Sequence, residues 1–530
     1  MEEDIRRILD VPIPMRDGLN LACNIYLPDK QGKYPVIMAF TSFSKDAFWC
    51  TEFNGWKRAY EPWSPTMTGS CAFEANDPNF WCNYGYVVID VDARGFNRSP
   101  GTGVLGPRII RDGMWARDQW DAIEWAGVQE WSNGNVGLSG VSLLGFSIWR
   151  IAGQNPPHLK CINPWEAMTD FDRCSRAVGG IPETRFSKPN SWQFGTYTKS
   201  TRTTAAWPAP ENEDPPTADP MEEDDFLEMI TMPTLISGNW NDHGIHTRGS
   251  LKAFRKIKSE HKWLYTHGRF KWSEFYSSEA RTFRKMFFDC FLKGTDKRIL
   301  DTPRVSLKLM DTMDDYIARY EDDYPLKSIV PVKCYLDVSE NNLKSGLPDK
   351  ETSATYDSEN GHVAFDYVFD GYTELIGPSA LKLWVSTDEA DDMDLFITLR
   401  KFGVDGKEVL YDSCYTPRNW MVGAGWMRLS HRELNPEIST PLEPYQKHVV
   451  GEGDKIKPGE IVSCEIPILA IGHIFNKGEK LRIEVSGKFR SGETLVRNDR
   501  AWDDLVNKGK HTIYTGGQYD SYYLMPVNKI

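Results

Sequence analysis

The hydrophobic period of this chain changes near residue 305, and that change limits what it can fold into. Upstream, short unbroken apolar runs alternate with helical patterns. Tyr34-Pro-Val-Ile-Met-Ala-Phe40 and Gly85-Tyr-Val-Val-Ile-Asp-Val-Asp92 read as strands buried on both faces. Asp112 to Trp131 reads as a helix with Trp115, Trp120, Ile123 and Trp125 on its apolar side. Val136-Gly-Leu-Ser-Gly140 is a short strand, and Leu143 to about Gln154 is a helix stopped by Asn155-Pro156-Pro157. Strand and helix in this alternation predict a mostly parallel sheet covered by helices. The pattern breaks at 166–228, where Trp207 to Pro220 is rich in proline and acid, and resumes with strands at 232–238 and 262–266. Glu279 to Lys293 follows as a helix with Phe283, Met286, Phe287, Cys290 and Phe291 on one face and Gly294 as its stop. Downstream the period is two, as in Val332–Asp337, Leu381–Thr387, Asp394–Arg400 and Lys480–Val485, which predicts an all-β sandwich. The expected order is an α/β core at 1–165 and 229–305, an inserted cap at 166–228, and a β domain at 306–530.

Composition excludes several classes. The 62 basic and 75 acidic residues leave a net charge of −13, so no general attraction to phosphate backbones exists and nucleic acid is not expected as a partner. No run of 18 apolar residues suggests a membrane span. The start MEEDIRRILDVPIPMRDG has no apolar signal region, and the end MPVNKI matches no targeting tail, so a cytoplasmic location is expected. The ten cysteines form no CxxC pair and are expected to be free thiols. No metal or cofactor is expected. The partners expected are a small-molecule substrate and, as an option, a second copy of the chain in a homodimer.

The chemistry centres on Gly140-Val141-Ser142-Leu143-Leu144-Gly145. A serine on a tight strand–turn–helix bend projects its hydroxyl at the carboxyl edge of the sheet, beside the next amide and a helix N-terminus. The bland alternative is a buried strand-end serine capping the helix. A nucleophilic serine needs a base, and the base an acid to orient it. Asp242, in Gly238-Asn-Trp-Asn-Asp-His243, follows the strand at 232–238 and is the candidate acid, with a helix N-cap as its alternative role. His267 follows the strand at 262–266 and is the candidate base. His243 and His246, on the Asp loop, are rivals, and His261 lies at the opposite edge.

Several stretches together resemble the CocE/NonD family, which includes bacterial cocaine esterase and is related to X-Pro dipeptidyl-peptidases and α-amino-acid ester hydrolases. They are Val11-Pro-Ile-Pro-Met-Arg-Asp-Gly18, Gly85 to Gly95 with Arg98-Ser-Pro-Gly101, and Trp131 to Gly137 leading into a G-x-S-x-x-G bend. Gly238 to Asp242, Asp392 to Arg400, Leu429 to Glu433 and Phe475 to Arg482 complete the set. The resemblance implies an α/β-hydrolase core, a helical cap and a C-terminal jelly roll. It also implies Ser142, Asp242 and His267 as the triad, with the Leu143 N–H as one oxyanion donor.

The family tyrosine that supplies a second donor is matched here by Phe43, in Ser42-Phe43-Ser44-Lys45-Asp46, so Ser42, Ser44 or another amide would have to substitute. Losing one such donor costs about 10²–10³ in rate. An aromatic insertion from Ala47 to Asn83 reads as a packed subcore bracing the two domains or as a wall over Ser142. Phe43, Trp49 and Trp240 are candidate pocket residues. The acids of 211–225 read as a solvated face. The expected activity is cleavage of an ester or amide of a bulky apolar small molecule through an acyl-enzyme. Acyl transfer, lactonisation, a non-hydrolytic cyclase, or a binding protein on the same scaffold are the alternatives.

Overall fold

A computed structural model describes residues 5–46, 70–103, 113–184, 226–242, 244–413, 420–490 and 501–529. The first half builds one sheet from β1 (Arg6–Pro14), β2 (Asn20–Leu27), β3 (Tyr34–Thr41), β4 (Val87–Asp92), β5 (Ser132–Val141) and β6 (Leu159–Trp165). It continues through β7 (Thr234–Asn239), β8 (Lys262–His267), β9 (Val305–Met310) and β10 (Tyr316–Glu321). The order is β1-β2-β4-β3-β5-β6-β7-β8-β9-β10. From β4 to β9 neighbours run parallel, while β1, β2 and β10 are antiparallel additions. The central strands are apolar throughout because helices cover both faces. Helix α1 (Met114–Gly127) packs on β5 and β1, and α2 (Thr247–Lys256) packs on β7 and β8.

The sheet extends two strands past residue 305, where a β domain was expected to start. Val305-Ser-Leu-Lys-Leu-Met310 alternates and so reads as half-exposed, yet Lys308 is only 1% exposed. Its Nζ lies 2.7 Å from Glu274 Oε1 and 2.8 Å from Glu279 Oε2, which compensates the buried charge. The segment expected as one helix from Leu143 to Gln154 is two pieces, Leu143–Phe146 and Ile148–Gln154. They part at Ser147, whose hydroxyl donates to Leu144 O at 3.0 Å. The helix expected over Glu279–Lys293 is α3 (Ser278–Phe288) followed by a wider turn, Asp289–Lys293. Its buried face is Ala280, Arg281, Arg284, Phe287 and Phe288, with Phe283 and Met286 only partly covered. Gly294 ends it in the left-handed region, φ 69°. Most of the expected cap, 185–225 with its acids, lies outside the described residues.

The second half is strand-rich. One layer pairs Val462–Phe475 with Thr373–Thr387, Tyr522–Asn528 and Ile329–Asp337 in turn. The other pairs His362–Val368, Lys480–Ser486, Asp394–Phe402 and Gly423–Arg428. The halves are locked together at named points. Met310 pairs with His473. Gly179 accepts the Arg428 N–H at 2.7 Å, and a Cβ on Gly179 would meet Trp426 O at 2.1 Å. The described cysteines are free, and all but Cys290 are buried. No helix among the described residues is long and apolar enough to cross a membrane.

Candidate active site

Ser142 follows β5 with φ 56° and ψ −116°, a strained conformation for a residue with a side chain. The bend depends on two glycines. A Cβ on Gly140 would meet Leu144 Cβ at 2.5 Å, and one on Gly145 would meet Gly140 O at 2.9 Å. The displaced glycine of the motif therefore seats the helix start against the strand end. Val141 N donates to Glu74 O at 3.1 Å and Ser142 N donates to Trp165 O at 3.0 Å. With its amide held from the strand side, the hydroxyl faces the loop after β7. The N–H of Leu143 opens the helix that follows and so has no acceptor within it.

Asp242 is 2% exposed and sits on that loop. One carboxylate oxygen, Oδ2, accepts the His246 and Thr247 N–H groups at 2.5 and 3.0 Å, at the positive end of α2. The other, Oδ1, lies 3.1 Å from His246 Nδ1, and His246 Nε2 lies 2.9 Å from Ser142 Oγ. With Nδ1–H donated to the carboxylate, Nε2 is free to accept the serine proton. One oxygen of Asp242 thus meets the start of α2, the alternative role read from the sequence, while the other meets the His246 ring.

The histidine in that line is His246. His267, expected as the base, stands elsewhere. It ends β8, three strands from β5, and strand spacings of about 4.8 Å make that roughly 14 Å. A histidine still inside the ladder has no loop to carry it back. His267 Nε2 instead lies 3.1 Å from Glu166 Oε1, and its Nδ1 accepts the Arg269 N–H at 3.3 Å. His246 precedes α2 on a loop that turns back over β6, which is what lets it reach Ser142. His243 lies outside the described residues, and His261 precedes β8 as expected, at the far edge.

The loops at this edge are interlocked. Asn239 Nδ2 donates to Glu166 Oε2 at 3.3 Å and to Arg269 O at 3.0 Å. Asn239 Oδ1 accepts the Asn241 N–H at 3.0 Å, Asn241 Nδ2 donates to Gly268 O, and Trp240 N donates to His267 O at 2.7 Å. Helix α2 is seated by Gly249, where a Cβ would meet Thr169 N at 2.4 Å. Glu166, with φ 44°, and Glu74, with φ 62°, are two further left-handed residues beside Ser142. Neither was singled out in the sequence. Each follows an ordinary-looking segment, and only the position of its strand or loop brings it here.

The expected pocket residues divide. Phe43 is half-buried and packs edge-on against Phe73 at 4.8 Å, and Phe73 packs on Trp272 at 5.7 Å. The Phe43 N–H is taken by Thr41 Oγ1 at 2.9 Å and Ser44 Oγ by the Asp46 N–H at 3.1 Å, while the buried Ser42 Oγ has no partner among the described residues. Trp240 is not a pocket wall. It is 2% exposed, donates Nε1–H to Lys308 O at 2.8 Å, and lies so close to Gly472 that a Cβ there would meet its ring at 2.3 Å. It braces the two halves of the chain, the role expected of the aromatic insertion. Of that insertion, Trp81 packs within the first half, on Tyr86 and Phe288, and Trp49 lies outside the described residues. Among the described residues no group of three or more His, Cys, Asp or Glu could hold a metal ion.

Residues 17–214 match the family described as X-Pro dipeptidyl-peptidase (S15 family), and residues 298–523 match the X-Pro dipeptidyl-peptidase C-terminal non-catalytic domain. The chain is 35% identical to a CocE/NonD family hydrolase from Staphylococcus aureus, whose crystal structure agrees with TM-score 0.87 over 99% of this chain and 94% of that one. It is 24% identical over 629 residues to the cocaine esterase of Rhodococcus sp. (strain MB1 Bresler), covering 98% of each chain. An α-amino acid ester hydrolase, 17% identical, shares the fold with TM-score 0.72 over 99% of this chain and 97% of that one.

Proposed function

This chain belongs to the CocE/NonD family of hydrolases, and on that premise we propose that it is a serine hydrolase cleaving an ester or amide of a bulky, largely apolar small molecule. The proposal includes an α/β-hydrolase core with Ser142 at its nucleophile bend, a cap over the sheet edge and a C-terminal jelly roll. The observation that carries it is the continuous line from Ser142 Oγ through His246 to Asp242, at 2.9 and 3.1 Å. The elbow order of strand, serine and helix, the strained Ser142 backbone and the relationship to cocaine esterase support the same reading.

Ser142 Oγ attacks the substrate carbonyl while His246 Nε2 takes its proton. The Leu143 N–H stabilises the oxyanion, and Asp242 holds the imidazole tautomer and compensates its charge. Collapse breaks the bond to the alcohol or amine, which leaves with the proton from His246. Water then attacks the acyl group, again deprotonated by His246, and the acid departs as Ser142 recovers its proton. A fluorophosphonate probe tests the reading. It should label the wild-type protein once, at Ser142, and Ser142→Ala not at all; equal labelling of the variant would overturn it.

A further inference from the structure

Two hydroxyls at the start of α2 each bond one strand-end residue twice. Strand β6 ends at Trp165, which pairs with Ser237 of β7, and the Glu166 N–H donates to Ser237 O at 3.2 Å. Two residues beyond that pair, at Ala167 and Asn239, the backbone groups are taken by side chains of α2 instead. Thr247 Oγ1 accepts the Asn239 N–H at 2.9 Å and donates to Asn239 O at 2.5 Å. Ser250 Oγ accepts the Ala167 N–H at 3.1 Å and donates to Ala167 O at 3.2 Å. Thr247 and Ser250 are both buried, and three residues apart they share one face of the helix. Gly249 lies between them and lets that face come down onto the backbone of Thr169. A hydroxyl both donates and accepts, so each of these side chains satisfies two buried backbone groups that an apolar residue would leave unmet.

We propose that Thr247 and Ser250 form a clasp that sets the reach of His246 to Ser142, and that both are positioning residues for the reaction. The inference rests on the line from Ser142 through His246 to Asp242. His246 immediately precedes Thr247, so where the first turn of α2 is held decides where the imidazole stands. Thr247 ties that turn to the end of β7, where the loop of Asp242 begins, and its own N–H donates to Asp242 Oδ2 at 3.0 Å. Ser250 ties the same turn to the segment after β6, the strand between β7 and β5. The last residue of β6, Trp165, accepts the Ser142 N–H at 3.0 Å. Base and acid are thus referred to β7, and base and nucleophile to β6, through bonds of fixed length. A displacement of about 1 Å between reacting groups costs on the order of 10²-fold in rate.

The test begins with fluorophosphonate labelling of the wild type at Ser142 and its loss in His246→Ala. Failure of either would overturn the reading of the site, and the clasp with it. Thr247→Val and Ser250→Ala are then assayed well below their denaturant midpoints, where both are folded. Each should lower kcat for a nitrophenyl acetate and the rate of labelling in parallel, by about ten- to a hundredfold, with KM held within about twofold. Thr247→Ser keeps the hydroxyl and should bring both rates back to within about threefold of wild type. Hydroxyls that served stability alone would lower the midpoints and leave kcat and labelling of the folded protein at wild-type values, and that result would overturn the clasp while the labelled wild type kept the site. A Thr247→Ser variant as slow as Thr247→Val would overturn it too. Should Thr247→Val not fold, Ser250→Ala, which removes only the second pair of bonds, decides on the same measurements.

Discussion

Glu166 Oε1 and His267 Nε2 lie 3.1 Å apart in a fully buried pair, and Nδ1 of the same ring accepts the Arg269 N–H at 3.3 Å. Both ring nitrogens are thereby engaged at the end of β8, and Glu166 Oε2 accepts from Asn239, the last residue of β7, where the loop that carries Asp242 begins.

His246 and His267 should therefore separate cleanly on mutation. His246→Ala is expected to lose fluorophosphonate labelling and turnover by about four orders of magnitude or more. His267→Asn should still label at Ser142 and should instead lower stability, by about 1–3 kcal/mol, because it disturbs a buried hydrogen-bonded group. The reverse pattern, an inert His267→Asn and an active His246→Ala, would return the base to His267. Labelling stoichiometry and denaturant midpoints on the two variants decide it.

Asp242→Asn probes the two oxygens separately. The amide can still accept one backbone N–H at the start of α2, so the fold should persist. It cannot hold the His246 tautomer as the carboxylate does, and kcat should fall by about 10⁴. Circular dichroism unchanged from wild type together with that loss is the expected result. A variant within tenfold of wild type would show that Asp242 only caps the helix.

Phe43 packs against Phe73 at 4.8 Å with its ring partly exposed, so a para-hydroxyl should cost little stability. If the oxyanion lacks a second donor, Phe43→Tyr should raise turnover of a nitrophenyl acetate by about tenfold or more. No gain, in a protein that folds and labels at Ser142, would mean that another donor already serves, for which the unpartnered Ser42 hydroxyl is the first to test.

Asp92 gives a pH dependence with a definite sign. Burial raises its carboxyl to about 7, against hydrogen bonds from Lys45 N and Arg98 N that favour the charged form. The folded state thus holds the proton more tightly than the unfolded chain. That contribution is fully present below the ordinary carboxyl range, about pH 4, and is lost as pH rises through about 7. Burial, and then the neighbouring Asp92, pushes the Asp90 carboxyl up as well. Asp92→Asn cannot ionise, so its stability relative to wild type should improve between about pH 4 and 7, by at most on the order of 4 kcal/mol. Urea midpoints of both proteins across this range check it, and parallel curves would refute it.

The amino-acid sequence alone determined the sheet strands and the bend at Ser142, because each rests on local rules. Apolar runs such as Tyr34–Phe40 can only be buried, and Gly140 and Gly145 around Ser142 permit a bend that larger residues would block. Where a side chain near a strand end points depends on neighbours far along the chain. Lys308 is buried where Glu274 pairs with it, and Trp240, read as a pocket wall, is instead packed against Gly472. The choice between His246 and His267 was of this kind. Both lie near the carboxyl edge of the sheet in sequence, but only the folded sheet sets their distances. The sheet keeps β5 to β8 in chain order, which leaves β8 three strands from β5, but only the folded edge brings the loop after β7 back to Ser142. Tertiary structure alone decided which imidazole meets the serine, because reach is a property of the assembled edge and not of the spacing between residues.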